Sequence, residues 1–222
     1  MSYIILIISL IITLSAQIYV NSSYSKYSKE KTNKGETGEQ VARKILDRAG
    51  LDDVAVYETT GILSDHYDPR KKAVFLSTSN FNNSSIGAIS VAAHECGHAI
   101  QHQQKYIFMN IRAALVPFVN ISSYAGYFAI LLGVILGAFN LIWLGILAEC
   151  VILVFQLVTL PVEFNASHRA LKVLETDNYL TKKELSGGKK VLRAAALTYV
   201  ASVATTLLEI LRLILIYGRR ND

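Results

Sequence analysis

The chain has 222 residues, of which 52% are hydrophobic and only 18% charged, with a mean hydropathy of +0.35. That balance excludes a disordered chain and argues against a wholly water-soluble globule, so most of the protein is expected to have a bilayer as its solvent. The formal net charge of +5 is small and dispersed, which points to anionic lipid and away from nucleic acid.

From Tyr3 to Val20 the chain carries no charge, and the first charged residue is Lys26. This stretch is about as long as a helix needs to cross hydrocarbon. It lacks the basic start and the small-residue cleavage site of a secretory leader, so residues 1–25 are read as a retained transmembrane anchor. A Ser/Tyr/Lys-rich linker from Asn21 to Gly35 is expected to be mobile. Thr37 followed by Gln40 is a capping box, and Val41, Ile45 and Leu46 supply an apolar stripe that Gly50 ends, which predicts a helix over 37–49. The β-branched and aromatic runs VAVYETTG and KAVFLST flank SDHYDPRK, whose Asp-Pro-Arg is turn chemistry, so a hairpin or a three-stranded sheet is expected. The N-cap-rich SNFNNSS then opens a helix from about Ile86 to Gln103.

Between Arg112 and Glu163 the only charged residue is Glu149, a length that reads as a membrane hairpin over 113–160 with its break at Gly137 to Asn140. A last apolar run from about Ala194 to Tyr217 contains only Glu209 and Arg212, three apart and able to neutralise each other. Four crossings leave both termini on one face and bring the polar segments 26–112 and 161–193 together on the other. Twelve of the 22 Lys and Arg residues fall between positions 21 and 112, and seven between 161 and 193. The positive-inside rule therefore assigns that polar face to the cytoplasm, with Arg219 and Arg220 counting against it. Two cysteines, Cys96 in a polar motif and Cys150 in an apolar run, form no disulfide framework and are compatible with a reducing compartment.

The helix over 86–103 contains His94, Glu95, Cys96, Gly97 and His98. Two histidines four apart share one helical face, where both imidazoles can reach a single Zn²⁺. Glu95 projects beside them, placed to take a proton from a zinc-activated water and not to bind the metal. H-E-x-x-H fixes only three positions, and its bland counterpart is a polar helix face with two solvated histidines. All five histidines, at 66, 94, 98, 102 and 168, fall in the polar segments. A catalytic zinc needs a third protein ligand and an open fourth position, and Glu163 of LPVEFNASHRAL emerges where the hairpin returns to that face. Pro161 before it is taken as a helix start signal. His102 continues the face of His94 and His98, but a fourth ligand would close the site, so it is read as a supporting or solvated group.

These blocks resemble the YugP-like neutral zinc membrane metallopeptidases, HExxH gluzincins distantly similar to the HtpX-like group. The matching stretches are TGEQVARKILDRAGL, DHYDPRKKAVFLS, VAAHECGHAIQH, QLVTLPVEFNASHRAL and VLRAAALTYVA, in that order across most of residues 36–205. The resemblance implies a membrane-embedded zinc endopeptidase with His94, His98 and Glu163 as ligands of one Zn²⁺ and Glu95 as general base. It also marks a departure: the wider HtpX-like group has an acidic residue four positions after that glutamate, where this chain has Ser167, a weaker partner for a ligand histidine. The expected fold is a mainly α membrane protein with four transmembrane helices and a small α+β zincin-like region, a short hairpin or sheet plus the HExxH helix, on one face. Its parts are the anchor 1–25, the polar region 26–112, the hairpin 113–160, the third-ligand helix and loop 161–193 and the last span 194–222, making one integrated catalytic unit.

A donor for the tetrahedral oxyanion is expected among His66, Tyr67, His168 and Arg169. His66 and Tyr67 stand between Asp65 and Asp68, so a hydrogen-bonded turn is an equal reading of that segment. The strand Ala73 to Ser77 precedes the zinc helix and is expected to offer a free edge to an extended substrate. Glu149, Gln156 and Glu163 are seven apart and share a helical face, either as a hydrated path or as bundle-interior packing. The expected substrate is a protein or peptide, membrane proteins included, met at the cytoplasmic face of the cell membrane. Two other classes compete: a zinc-handling or transport protein, for which Glu95 would be dispensable, and a catalytically silent scaffold stabilised by zinc.

Overall fold

The structure, a computed structural model, describes residues 2–61 and 63–218. Arg219 and Arg220, which enter the sidedness count, lie outside the described residues. Ten elements follow one another: α1 (Ser2–Tyr27), α2 (Gly38–Arg48), β1 (Ala55–Thr59), β2 (His66–Asp68), β3 (Ala73–Ser77), α3 (Thr78–Phe81), α4 (Ile86–Gln103), α5 (Ile107–Leu136), α6 (Phe139–Thr176) and α7 (Lys182–Tyr217). Four of them, α1, α5, α6 and α7, are long and apolar enough to cross a membrane. The protein is a mainly α membrane protein with a small three-stranded sheet.

The chain divides into two compact units, one of residues 2–17, 110–161 and 197–218, the other of residues 18–109 and 162–196. In the first, α5 turns into α6 at Gly137, whose φ of 65° suits a residue without a Cβ. The two helices approach closely: a Cβ on Gly133 would stand 2.6 Å from Cγ1 of Ile142, and one on Gly145 would stand 2.3 Å from Cγ1 of Ile130. Small residues at such crossings let helices pack where lipid leaves no hydrophobic drive between them. Arg212 donates from Nε to Oε2 of Glu209 at 2.8 Å on α7, the ion pair that the spacing predicts.

The second unit is built around α4. Its Ile89, Ala92, Ala93, Cys96 and Ala99 share one core with Val41, Ala42, Ile45 and Leu46 of α2, Val74 and Leu76 of β3, Ala170 and Leu174 of α6, and Val191 and Leu192 of α7. Ser85 caps α4, its side chain accepting from Ala88 N, and Thr37 and Gln40 form the reciprocal capping box of α2.

Three expectations are corrected. β3 pairs with β1 in parallel and with β2 antiparallel, giving the order β1-β3-β2. It is therefore the central strand and has no free edge; the edges belong to β1 and β2. The segment 21–35 is not a mobile linker. α1 continues to Tyr27, Tyr24 Oη donates to Asn80 Oδ1 at 2.8 Å, and beyond the helix Thr32 N donates to Ser84 O and Ile86 N to Glu30 O. Polar composition read as flexibility misses backbone pairing to partners 52 and 56 residues away. Pro161 starts no helix, since α6 runs through it from Phe139 to Thr176. A proline in a long helix forfeits one backbone bond, which neighbouring helices and Ser/Thr side chains make tolerable.

Candidate metal centre

His94 and His98 occupy successive turns of α4, and their rings meet edge to face with centroids 4.7 Å apart. Glu163 projects from α6 between them: its Oε2 lies 3.3 Å from His94 Nε2 and 3.7 Å from His98 Nε2. One ligand atom from each of the three lies within 4.8 Å of the others, and among the described residues no other group of three or more His, Cys, Asp or Glu is so placed. All three side chains are largely withdrawn from solvent.

The far side of each imidazole is tied off. His94 Nδ1 lies 3.2 Å from Ser167 Oγ, and His98 Nδ1 lies 3.0 Å from Gln101 Oε1. Gln101 is fully buried and its amide orientation is fixed by two further bonds, Nε2 donating to Val162 O at 2.8 Å and to Asn165 Oδ1 at 3.0 Å. Its oxygen must then accept the Nδ1 proton of His98, which leaves the Nε2 lone pair facing Glu163. The Ser167 hydroxyl, accepting from His94 Nδ1, does the same for His94. Two neutral imidazole nitrogens and one carboxylate oxygen, convergent and oriented from behind, form a donor set that suits Zn²⁺.

Burial alone would push the His98 imidazole down, yet the Glu163 carboxylate, with the charge of Glu95, holds it above its ordinary value. Glu95 is buried at 7% exposure, and burial pushes its carboxyl above the usual carboxylate range, with His94 and His98 pulling it back down and Glu163 adding to the rise. A carboxylate so placed holds and releases protons more evenly than an exposed one. Cys96 faces away from this group, its Sγ 3.5 Å from Ala42 O, and burial pushes its thiol up and out of reactive range.

The other candidates are dispersed. His66 stacks on Phe75, ring centroids 4.8 Å apart, on the face of the sheet away from α4, and its Nδ1 lies 2.8 Å from Ser64 O. Tyr67, the next residue on β2, points to the α4 side, where its Oη lies 2.9 Å from His102 Nδ1. Asp65 and Asp68 are structural: Asp65 accepts from Ser77 N and Asn80 Nδ2, and Asp68 from the amides of Arg70 and Lys71. His168 is exposed. Arg169 donates from Nε to Asn165 Oδ1 at 2.7 Å and so is linked to His98 through Asn165 and Gln101. Gln101 and Asn165 escape sequence reasoning. The one signal is spacing, since Gln101 stands three residues after His98 on its face of the helix.

A family model with the description "Putative neutral zinc metallopeptidase" matches residues 2–218. The chain is 46% identical over 207 residues, 93% of its own length and 92% of the relative's, to the Bacillus subtilis (strain 168) protein named "Putative membrane protease YugP". No solved structure matches it. With the family model spanning nearly every residue and a relative this similar along almost the whole of both chains, the protein belongs to the neutral zinc metallopeptidase family.

Proposed function

We propose that the protein is a zinc-dependent endopeptidase of gluzincin type, held in the cell membrane and acting on proteins or peptides, membrane proteins included, at the cytoplasmic face. The observation that carries this reading is the convergence of His94 Nε2, His98 Nε2 and Glu163 Oε2, with both Nδ1 atoms occupied from behind and Glu95 beside them. His94, His98 and Glu163 would hold one Zn²⁺, which when bound supplies Lewis acidity to a water and to a substrate carbonyl oxygen. Glu95 takes the proton from the attacking water and hands it to the leaving amine, so that a single carboxyl serves as base and then as acid. Gln101 and Ser167 hold the two imidazoles in the tautomer the ligand set needs.

The test pairs metal analysis with proteolysis. Glu95→Gln is expected to keep about one equivalent of zinc and to lose about a hundredfold or more in casein-type cleavage, the range for a general base. Glu163→Ala is expected to lose the zinc itself. Cleavage of a soluble peptide is expected from everted membrane vesicles and not from right-side-out ones. Full proteolysis in Glu95→Gln would overturn the base assignment, and stoichiometric zinc in Glu163→Ala the ligand set; activity only in right-side-out vesicles would reverse the sidedness.

A further inference from the structure

A cavity of about 770 Å³ lies within the unit of residues 18–109 and 162–196, between the end of α1, the chain just after it and the first turns of α7. Four lysines line it, Lys26, Lys31, Lys183 and Lys190, against two acidic residues, Glu30 and Glu184. Glu184 is already committed: it accepts from Thr181 N at 2.7 Å, Thr181 Oγ1 at 2.8 Å and Asn33 N at 2.8 Å. Lys31 donates to Asn83 Oδ1 at 2.7 Å. Lys183 and Lys190 are seven residues apart on α7 and so share one face of the helix, with Gly187 between them on the same side. α7 packs closely on the end of α1 and the start of α4 here, since a Cβ on Gly187 would stand 2.8 Å from the Tyr27 ring and 3.2 Å from Ile86 Cγ2.

Depth narrows the occupant. Val20 ends the apolar part of α1, and Lys26 lies six residues beyond it, about 9 Å along a helix. Lys190 precedes Ala194, where the apolar part of α7 begins, by four residues, about 6 Å. Each polar layer of a bilayer is about 5–8 Å deep outside the hydrocarbon, and a lysine stem reaches several ångströms further. Lys26 and Lys190, on different helices, thus stand at the level of lipid phosphates, and Lys183, seven residues further from the apolar run than Lys190, stands about 10 Å beyond it.

We propose that this cavity binds the headgroup of an anionic glycerophospholipid, its phosphate held by Lys26 and Lys190 and the polar group beyond the phosphate turned toward Lys183. Basic pockets between membrane helices hold anionic headgroups by this chemistry. The site is separate from the metal centre and does not depend on the peptidase reading.

The test is native mass spectrometry of the full chain released from nanodiscs of phosphatidylcholine and phosphatidylglycerol in equal amounts. Wild type is expected to retain phosphatidylglycerol in preference to phosphatidylcholine. Lys183→Gln with Lys190→Gln should cut that retention about tenfold or more, the order two lysines contribute near an anionic surface. Lys182→Gln with Lys189→Gln removes the same charge from the neighbouring face of α7, outside the cavity, and should leave retention near wild type. Lys26→Gln, on another helix, should again lower it. No lipid preference in wild type, or equal loss from the two α7 pairs, overturns the proposal. Complete displacement of the lipid by inorganic phosphate would overturn it in favour of a free-phosphate site.

Discussion

His98 owes its orientation to Gln101, a residue with no titration and no metal-binding chemistry of its own. The amide is wedged between the ligand helix and α6, accepting from one and donating to the other. Gln101→Met keeps the volume and removes both roles, leaving a buried imidazole N–H without a partner and the Val162 carbonyl with only the amide of its own helix. That orphaned group costs about 1–3 kcal/mol, and loss of a partner behind a ligand lowers metal affinity about 10–100-fold. Asn165→Ala removes only one of the two acceptors of the Gln101 amide, so its effect is expected to be smaller and in the same direction. Zinc competition against a chromophoric chelator ranks them; equal affinity in wild type and Gln101→Met would show that His98 needs no such support. Ser167 offers His94 a weaker hold than a carboxylate would.

The meeting of α4 with α6 decides whether the three proposed ligands converge, and a single glycine permits it. A Cβ on Gly97 would stand 2.8 Å from the carbonyl oxygen of Ala166 and 3.3 Å from its Cα, backbone that cannot swing aside. Helix propensity alone favours Gly97→Ala by about 1 kcal/mol. The collision reverses that sign, because overpacking costs about 1–3 kcal/mol and forces α6 outward at the residue between Asn165 and Ser167. Gly97→Ala is therefore expected to lower both the unfolding temperature and zinc content, measured by differential scanning calorimetry and metal analysis. An alanine variant as stable and as zinc-loaded as wild type would show that the two helices are not in contact there. Element starts governed by local chemistry were legible: Ser85 before α4, and the Thr37 and Gln40 pair before α2. The first turns of α7 were not, since KKELSGGKK reads as a loop until Tyr27 and Ser90 are seen to occupy the space that side chains on Gly187 and Gly188 would need.

Across the whole chain, four apolar helices and a motif on one helix were readable because hydrophobic length and ligand spacing are local properties. The central place of β3 and the pairing of residues 30–32 with 84–86 were not, because they rest on contacts far apart in sequence. Such long-range contacts also place the three residues proposed to hold the metal in one unit, on α4 and on the part of α6 beyond residue 161. A bound ion would therefore link those two helices and stabilise the unit that contains them by an amount set by its occupancy, about 4 kcal/mol at a thousand times its dissociation constant. Chelation in nanodiscs should accordingly raise hydrogen exchange over residues 86–103 and 162–176 and leave residues 110–136 of α5 as they were, since no ligand lies there. Mass spectrometry of peptides from the two regions gives the comparison directly. Exchange that rises equally in both would mean that the metal supports the fold as a whole, and exchange that rises in neither would mean that α4 and α6 hold together without it.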